Sequence, residues 1–426
     1  EDLSLNFQQK VKFFLKKKYQ IFHTSKKRNI LFYLTDKLEQ DYIKKKLNNF
    51  NFFNYEYFVK YNQRFSKLDK RKLNDICTHL RNKKFKCPEV YTKYFENIFK
   101  ELNLFYKVNK IEIKEFLFKN KIDIFITAHP TLIANTIKME CINQKIPTLT
   151  LMHGGNFGHF SNVVPYPQFT ACNTLKNNSF NYFQVYTDKM KEKIIKKNFY
   201  TNKKEFNNKI LKIKSIKFHN LKFENNSFNS KKNLRIGYIC RAKLNVTSSS
   251  YAKFQNTLNM YNNRNELLRE IQSHRNVFLN ISTYDREQIN DFGDSKVIKK
   301  LDKNNQINFE ILNGKKIIER SDVVIFEHFS TLLIEAIYSK KPLIYLNNPY
   351  LKLFEDQKKL LKKQVYFIES NSQFKNFLRS LMLNKKNNTF LNKTFSNKFI
   401  QNYYISKTAQ SADKLILNIL NKSELK

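Results

Sequence analysis

The sequence predicts an α/β protein made of two doubly wound domains in tandem, facing an interdomain cleft. Three observations carry that expectation. A chain of 426 residues exceeds one ordinary core and suits two domains of about 200 residues each. Short β-branched and aromatic runs alternate with longer stretches of helical period, the order that gives parallel strands joined by crossover helices. That alternation breaks once, over text rich in Asn, Lys and Ser, and then resumes.

In chain order, strands are expected at "NILFYLT" (29–35), "IDIFITA" (122–128), "IPTLTLM" (146–152) and "FNYFQVYT" (180–187). The apolar period of "TLIANTIKMECINQ" makes a helix after the second. Residues 1–200 form the first domain, and 201–232, with weak periodicity, the linker region. The second domain, 233–426, begins at "LRIGYICRA" (234–242). It continues through "NVFLNIST" (276–283), "INFEIL" (307–312), "DVVIFEH" (322–328), "PLIYLN" (342–347) and "QVYFIE" (364–369). It closes on "FIQNYYISKTAQSADKLILNIL", a helix pair or one long helix, and no internal repeat is visible.

Hydrophobic residues at 41%, with 15% aromatic, exclude a disordered chain. The 78 Lys and Arg against 36 Asp and Glu leave a formal net charge of +42, which suits a polyanionic partner or membrane face. Over-used Lys, Asn, Ile, Phe and Tyr beside scarce Gly and Pro also fit compositional drift. Basic residues are mostly scattered Lys rather than the Arg forks of base-edge readers, so nucleic acid is not expected as a partner. Cys77, Cys87, Cys141, Cys172 and Cys240 lack metal-ligand spacing and read as reduced, buried thiols, which implies a cytoplasmic protein. No run approaches the roughly 18 apolar residues of a membrane span. The opening "VKFFLKKKYQIFHTSKKR" reads as a surface-lying amphipathic helix or a solvated one, so any membrane contact is peripheral and directed at anionic lipid.

Ligands of doubly wound domains bind beyond the carboxyl ends of strands, so the loops there are the ones to inspect. The strand at 146–152 runs straight into "HGGNFGH". Of only 6 glycines in the chain, Gly154, Gly155 and Gly158 fall here, around Asn156 and after His153. Bare backbone lets a ligand approach, and an imidazole with a pKa near 6.5 serves as a general base. A tight turn with a structural histidine gives the same text. His129 ends the strand at 122–128, ahead of Pro130, either in the cleft or capping and packing.

In "SDVVIFEHFSTLLIEAIYSKKPLIYLN", a buried strand ends in "EHFS", and Ser330 and Thr331 stand at a helix N-terminus. Backbone N–H groups, hydroxyls and the helix dipole make an anion site suited to phosphate, while Glu335 one turn on reaches sugar hydroxyls or solvent. His328 either assists a leaving group or packs at the strand end. Asp285, in "YDRE", reads as a helix cap, and no metal site is expected.

These residues resemble the GT-B superfamily of glycosyltransferases, two facing Rossmann-like domains with the donor nucleotide held mainly by the second. "HFSTLLIEAIYSKKPLIYL" is similar to that family's strand, hydroxyl-bearing loop, Glu-bearing helix and following strand. The resemblance implies phosphate contacts at Ser330 and Thr331 and a ribose contact at Glu335. A Lys340–Lys341 pair stands where the family has Gly before Pro342, a departure that touches the helix C-cap. "GYICRAK" resembles the first strand and loop of the donor domain, which implies Arg241 or Lys243 at the diphosphate. "MHGGNFGH" looks like the loop of surface-polysaccharide and CDP-glycerol glycerophosphotransferase-type enzymes, which implies His153 as base.

The function so implied is inverting transfer of a sugar from a nucleotide-sugar donor to a cell-surface glycan or lipid-linked acceptor. No cofactor is called for, because basic side chains and a helix N-terminus can stabilise the departing phosphate. The alternatives are a CDP-polyol phosphotransferase of the teichoic-acid type and, from another class, a nucleic-acid-binding protein. An epimerase of this fold would bring several carboxylates to the first domain's strand-end loops, where this sequence has few.

Overall fold

The computed structural model describes residues 27–33, 35, 37–55, 78, 110–128, 132–152, 181–196, 209–219, 233–240, 257–283, 302, 305–311, 313–349, 351–383 and 398–424. Twelve strands in these segments form two six-stranded sheets. The chain divides into two compact units: Glu1–Leu151 with Leu175–Tyr182 and Ile416–Lys426, and Met152–Thr174 with Phe183–Leu415.

The first sheet contains β1 (Asn29–Tyr33), β2 (Asn51–Asn54), β3 (Ile124–Thr127), β4 (Thr148–Thr150), β5 (Asn181–Val185) and β6 (Ile210–Lys212), in the order β2-β1-β3-β4-β5-β6. The pairs β1–β2, β1–β3, β3–β4 and β5–β6 are parallel. Its helices are α1 (Lys37–Lys46), α2 (Leu132–Asn143), α3 (Asp188–Lys196) and α4 (Ile216–His219), with a further helical stretch at 110–119. Leu31 and Phe125 pack on one face against Ile113 and Leu117 of that stretch and Ile137 and Cys141 of α2. Four of these strands lie where the apolar runs predict. β2 and β6 were not expected, and β6 and α4 lie within the 201–232 stretch read as linker.

The second sheet contains β7 (Leu234–Ile239), β8 (Val277–Thr283), β9 (Ile307–Ile311), β10 (Val323–Phe326), β11 (Leu343–Leu346) and β12 (Tyr366–Ile368). Its order is β12-β11-β10-β7-β8-β9, and every neighbouring pair is parallel. The accompanying helices are α5 (Thr257–Gln272), α6 (Gly314–Arg320), α7 (Thr331–Tyr338), α8 (Glu355–Leu361), α9 (Asn371–Leu383), α10 (Lys398–Tyr403) and α11 (Ala412–Glu424). The closing segment is therefore a helix pair, α10 and α11, with α11 joining the first unit from Ile416 onward.

Continuous apolar strands are the signature of a parallel sheet covered on both faces, and β10 shows it. Val323 and Ile325 join α5 and α9 in one core, whereas Val324 and Phe326 join α6 and α7 in the other. At the amino ends, Arg235 and Asp322 pin β7 to β10. The Arg235 N–H donates to Asp322 Oδ2 at 2.8 Å and its Nη2 to Oδ1 at 2.9 Å. No helix among the described residues is long and apolar enough to cross a membrane. The N-terminal amphipathic segment lies outside the described residues save 27 and 28.

Gly237, in the middle of β7, lies under Ile317 of α6 and Ser321 at its C-cap. A Cβ there would stand 2.5 Å from Ser321 Oγ and 2.8 Å from Ile317 Cγ2. Gly237→Ala is therefore expected to force apart two packed layers and destabilise the protein by about 1–3 kcal/mol. A urea midpoint equal to that of the parent chain would show that the layers yield freely.

Candidate functional site

The order of the second sheet locates the site. The chain begins in the middle at β7, moves outward to β8 and β9, then returns to β10 on the other side of β7. Where the winding reverses, no crossover closes the carboxyl ends of the two strands, and ligands bind there in doubly wound sheets. Ile239 of β7 pairs in register with Phe326 of β10. β7 thus ends beside the turn that carries His328, Ser330 and Thr331. Arg241 and Lys243 lie outside the described residues.

Ser330 is the N-cap of α7, with extended φ and ψ of −133° and 169°, and its Oγ accepts from the Leu333 N–H at 3.2 Å. The hydroxyl hydrogen remains a donor, so the cap and a ligand contact are compatible. Thr331 opens the helix, and both residues are half-buried. First-turn N–H groups and the positive end of the dipole favour an anion at such a point. Phe329, buried between the rings of Tyr345 and Phe399 at 6.3 and 6.1 Å, anchors the turn from below. His328 is half-buried at the strand end.

Glu335 is buried, not solvated. Lys217 Nζ of α4 lies 2.7 Å from its Oε1, as an ion pair that lacks the alignment of a hydrogen bond.

Sequence reasoning missed a buried charged cluster of this region. The Glu327 carboxylate, next after β10, accepts from Arg264 of α5 on both oxygens, from Nη2 to Oε2 at 2.7 Å and from Nε to Oε1. The Tyr238 hydroxyl of β7 also donates to Oε1 at 2.7 Å. Burial works against the Arg264 charge, but attraction to Glu327 outweighs it and holds the guanidinium above its usual value. Burial, with Glu327 beside it, also pushes the Tyr238 hydroxyl well up. An acid directly after four apolar strand residues was the available signal. Its partner, an arginine 63 residues earlier, had none.

The lysine pair after α7 explains how the helix ends without glycine. Lys340 takes the left-handed conformation, φ 57°, in which helices commonly end on glycine. Lys341 turns its ammonium onto the C-terminus of α6, donating to the carbonyls of Ile318 and Ser321 at 2.8 Å each and also to that of Glu319. Burial pushes its pKa below the usual lysine value, against the pull of Asp322.

Of the remaining expected residues, His129, His153, Gly154, Gly155, Asn156 and Gly158 lie outside the described residues. The strand ends that lead to them are described. β3 ends at Thr127, and Ala128 is buried just before His129. Beyond β4, Met152 is held on both sides, its N–H donating to Gln184 Oε1 at 2.8 Å and its carbonyl accepting from Tyr186 at 3.3 Å. Among the described residues no three His, Cys, Asp or Glu side chains gather as metal ligands do.

Two parallel, doubly wound, six-stranded sheets with helices are the GT-B architecture, and solved structures agree. The chain is similar to MnaA of S. aureus in its UDP co-structure, at 10% identity over 94% of this chain and 97% of that one, with a TM-score of 0.54. It is similar to the Methanocaldococcus jannaschii UDP-GlcNAc 2-epimerase in complex with UDP-GlcNAc and UDP, at 14% identity over 93% and 99%, TM-score 0.50. The UDP-GlcNAc 2-epimerase of Neisseria meningitidis bound to UDP-GlcNAc matches at 11% identity over 93% and 100%, TM-score 0.50. At such identities the likeness is one of fold. No family model and no curated protein matches the chain.

Removing one partner of a buried ion pair strands the other charge, at a cost of about 3–5 kcal/mol, whereas an apolar replacement of both is much better tolerated. Arg264→Met is therefore expected to lower the melting temperature strongly, and adding Glu327→Leu to restore most of the loss. Equal stability of Arg264→Met and the parent would show that the pair holds nothing together.

Proposed function

We propose that this protein is an enzyme acting on nucleotide-activated sugars, and within that class a glycosyltransferase that delivers the sugar to a hydroxyl of a cell-surface glycan or lipid-linked acceptor. The observation that carries the proposal is the β10–α7 turn. It lies at the winding reversal of a GT-B sheet, with a capped helix start, two hydroxyls and a carboxylate one turn further in. Ser330, Thr331 and the first turn of α7 would receive the donor's diphosphate, assisted by Arg241 or Lys243, and Glu335 the ribose. As the bond to the sugar breaks, negative charge grows on the leaving phosphate, where fixed donors act most strongly. His153 would take the proton of the attacking hydroxyl, giving inversion at the anomeric carbon. The proposed setting is the cytoplasmic face of a membrane, where a Lys-rich surface meets anionic lipid.

A second reading, nucleotide-sugar 2-epimerase, is favoured by the compared structures, several of which are 2-epimerases solved with UDP-GlcNAc or UDP. Incubation with UDP-GlcNAc and no acceptor separates the two, because only an epimerase makes the epimer.

The donor site is tested by a thermal-shift panel of CMP, CDP, UDP, UDP-sugars, GDP-sugars, CDP-polyols and single-stranded DNA, since a ligand that binds only the native state raises its apparent stability. At least one nucleotide should raise the melting temperature, and Ser330→Ala with Thr331→Ala should weaken it by about 1–3 kcal/mol per lost charge-assisted contact. A response to CDP-polyols alone would turn the reading to polyol-phosphate transfer. A response to single-stranded DNA in place of every nucleotide would end the enzyme reading.

The base is tested separately. His153→Ala should cut turnover by roughly 10² to 10⁴ with donor affinity nearly unchanged, as expected of a group that acts in the transition state. Near-normal turnover in that variant would leave the glycines beside it as a turn and nothing more.

A further inference from the structure

The carboxyl end of β11, next to β10, opens into a cavity of about 700 Å³ whose lining includes Lys193 and Lys196 of α3, Asn347, Asn348, Lys352 and Lys358. All these residues belong to the second unit, and neither Ser330 nor Thr331 is among them. Four lysines face two carboxylates, Glu355 and Asp356, so the lining is net cationic.

Two of the lysines are held in place. Lys193 Nζ lies 2.6 Å from Asp356 Oδ1 and 4.4 Å from the Phe354 ring centroid. Asp356 is itself fixed, its Oδ2 accepting from the Tyr403 hydroxyl at 3.0 Å. Burial would raise that carboxyl's pKa, but the hydrogen bonds from Lys193 and Tyr403 hold it below the usual value. Lys358 Nζ lies 2.7 Å from Glu369 Oε1 and 5.5 Å from the Phe367 ring centroid. An ammonium has three donors, and one carboxylate oxygen occupies a single one. These pairs therefore fix the cations without exhausting them.

Lysines of α3, the β11 loop and α8 line one cavity, and ammonium point charges suit a phosphoryl group, which accepts in three directions. The volume exceeds that of a phosphate ion and falls within the range of small-molecule sites. Asn347 continues β11, its N–H donating to the Ile368 carbonyl at 2.8 Å, and Asn348 is buried beside it. Their side-chain amides offer both donors and acceptors, as sugar hydroxyls require.

We propose that this cavity is a second binding site, separate from the β10–α7 turn, that takes a phosphorylated sugar or polyol. Titration calorimetry with glucose 1-phosphate, with inorganic phosphate and with glucose tests it on the full chain. Glucose 1-phosphate should bind saturably, more tightly than inorganic phosphate and with an affinity that falls as salt rises, while glucose should not bind. Lys196 and Lys352 are exposed, so Lys196→Met with Lys352→Met should fold normally and bind glucose 1-phosphate at least tenfold more weakly. Lys352→Glu alone should show the same direction. Ser330→Ala with Thr331→Ala should leave this binding unchanged. No saturable binding by the parent chain, an undiminished affinity in the lysine variants, or an equal loss in the Ser330 and Thr331 variant would overturn the proposal. The last outcome would put the phosphate at the α7 turn.

Discussion

Glu327 places a carboxylate in the protein interior at the point where β10 ends, and the geometry of the candidate site follows from what neutralises it. A charge removed from water is tolerated only when paired and hydrogen-bonded. Here a guanidinium grips both oxygens and a tyrosine hydroxyl adds a further donor. Arg264 comes from α5, Tyr238 from β7 and the carboxylate from the residue after β10, so one cluster ties a helix to the ends of two adjacent strands. The turn that follows Glu327 has little freedom left, because Phe329 is packed between rings two residues later. Ser330 and the first turn of α7 are thereby presented at a fixed place beside the end of β7.

The same sheet shows how a chain poor in glycine handles the positions that usually need it. Where α6 crosses β7, no side chain fits, and Gly237 is kept. After α7, only the backbone angle demands glycine, and Lys340 accepts a φ of 57°. The left-handed region costs an L-residue on the order of 1–2 kcal/mol. Beside it, Lys341 places three donors on the carbonyls that end α6, an interaction glycine lacks. The two lysines therefore act in the capping of two helices, away from the turn at Ser330.

The inner strands β10 and β11 were legible because they are buried on both faces, which demands uninterrupted apolar text such as "DVVIFEH" and "PLIYLN". β2 and β6 were not, because "NFFN" and "ILK" are too short to stand out from polar surroundings. Edge β2 gains its place from a partner. Asn51 donates from its side chain to Asn29 Oδ1 at 2.8 Å and from its backbone to the Arg28 carbonyl at 2.9 Å. β6 is set by burial of Ile210, with Ile213 just beyond it, which nothing in the Lys- and Asn-rich text around them announces.

The helix cap at Ser330 was legible as well, since a hydroxyl between a buried strand and an apolar helix is a local signal and its hydrogen bond spans three residues. Local text also determined the fold class, through the alternation of two periods, and the strand ends at which chemistry is to be sought. Tertiary structure alone decided which charges meet. Glu335 read as a residue facing ligand or water and is buried against Lys217, 118 positions earlier, and Arg264, which no motif singled out, is the partner of Glu327. Pairing of this kind depends on which elements the winding of the sheet brings together, and no spacing within the chain records that.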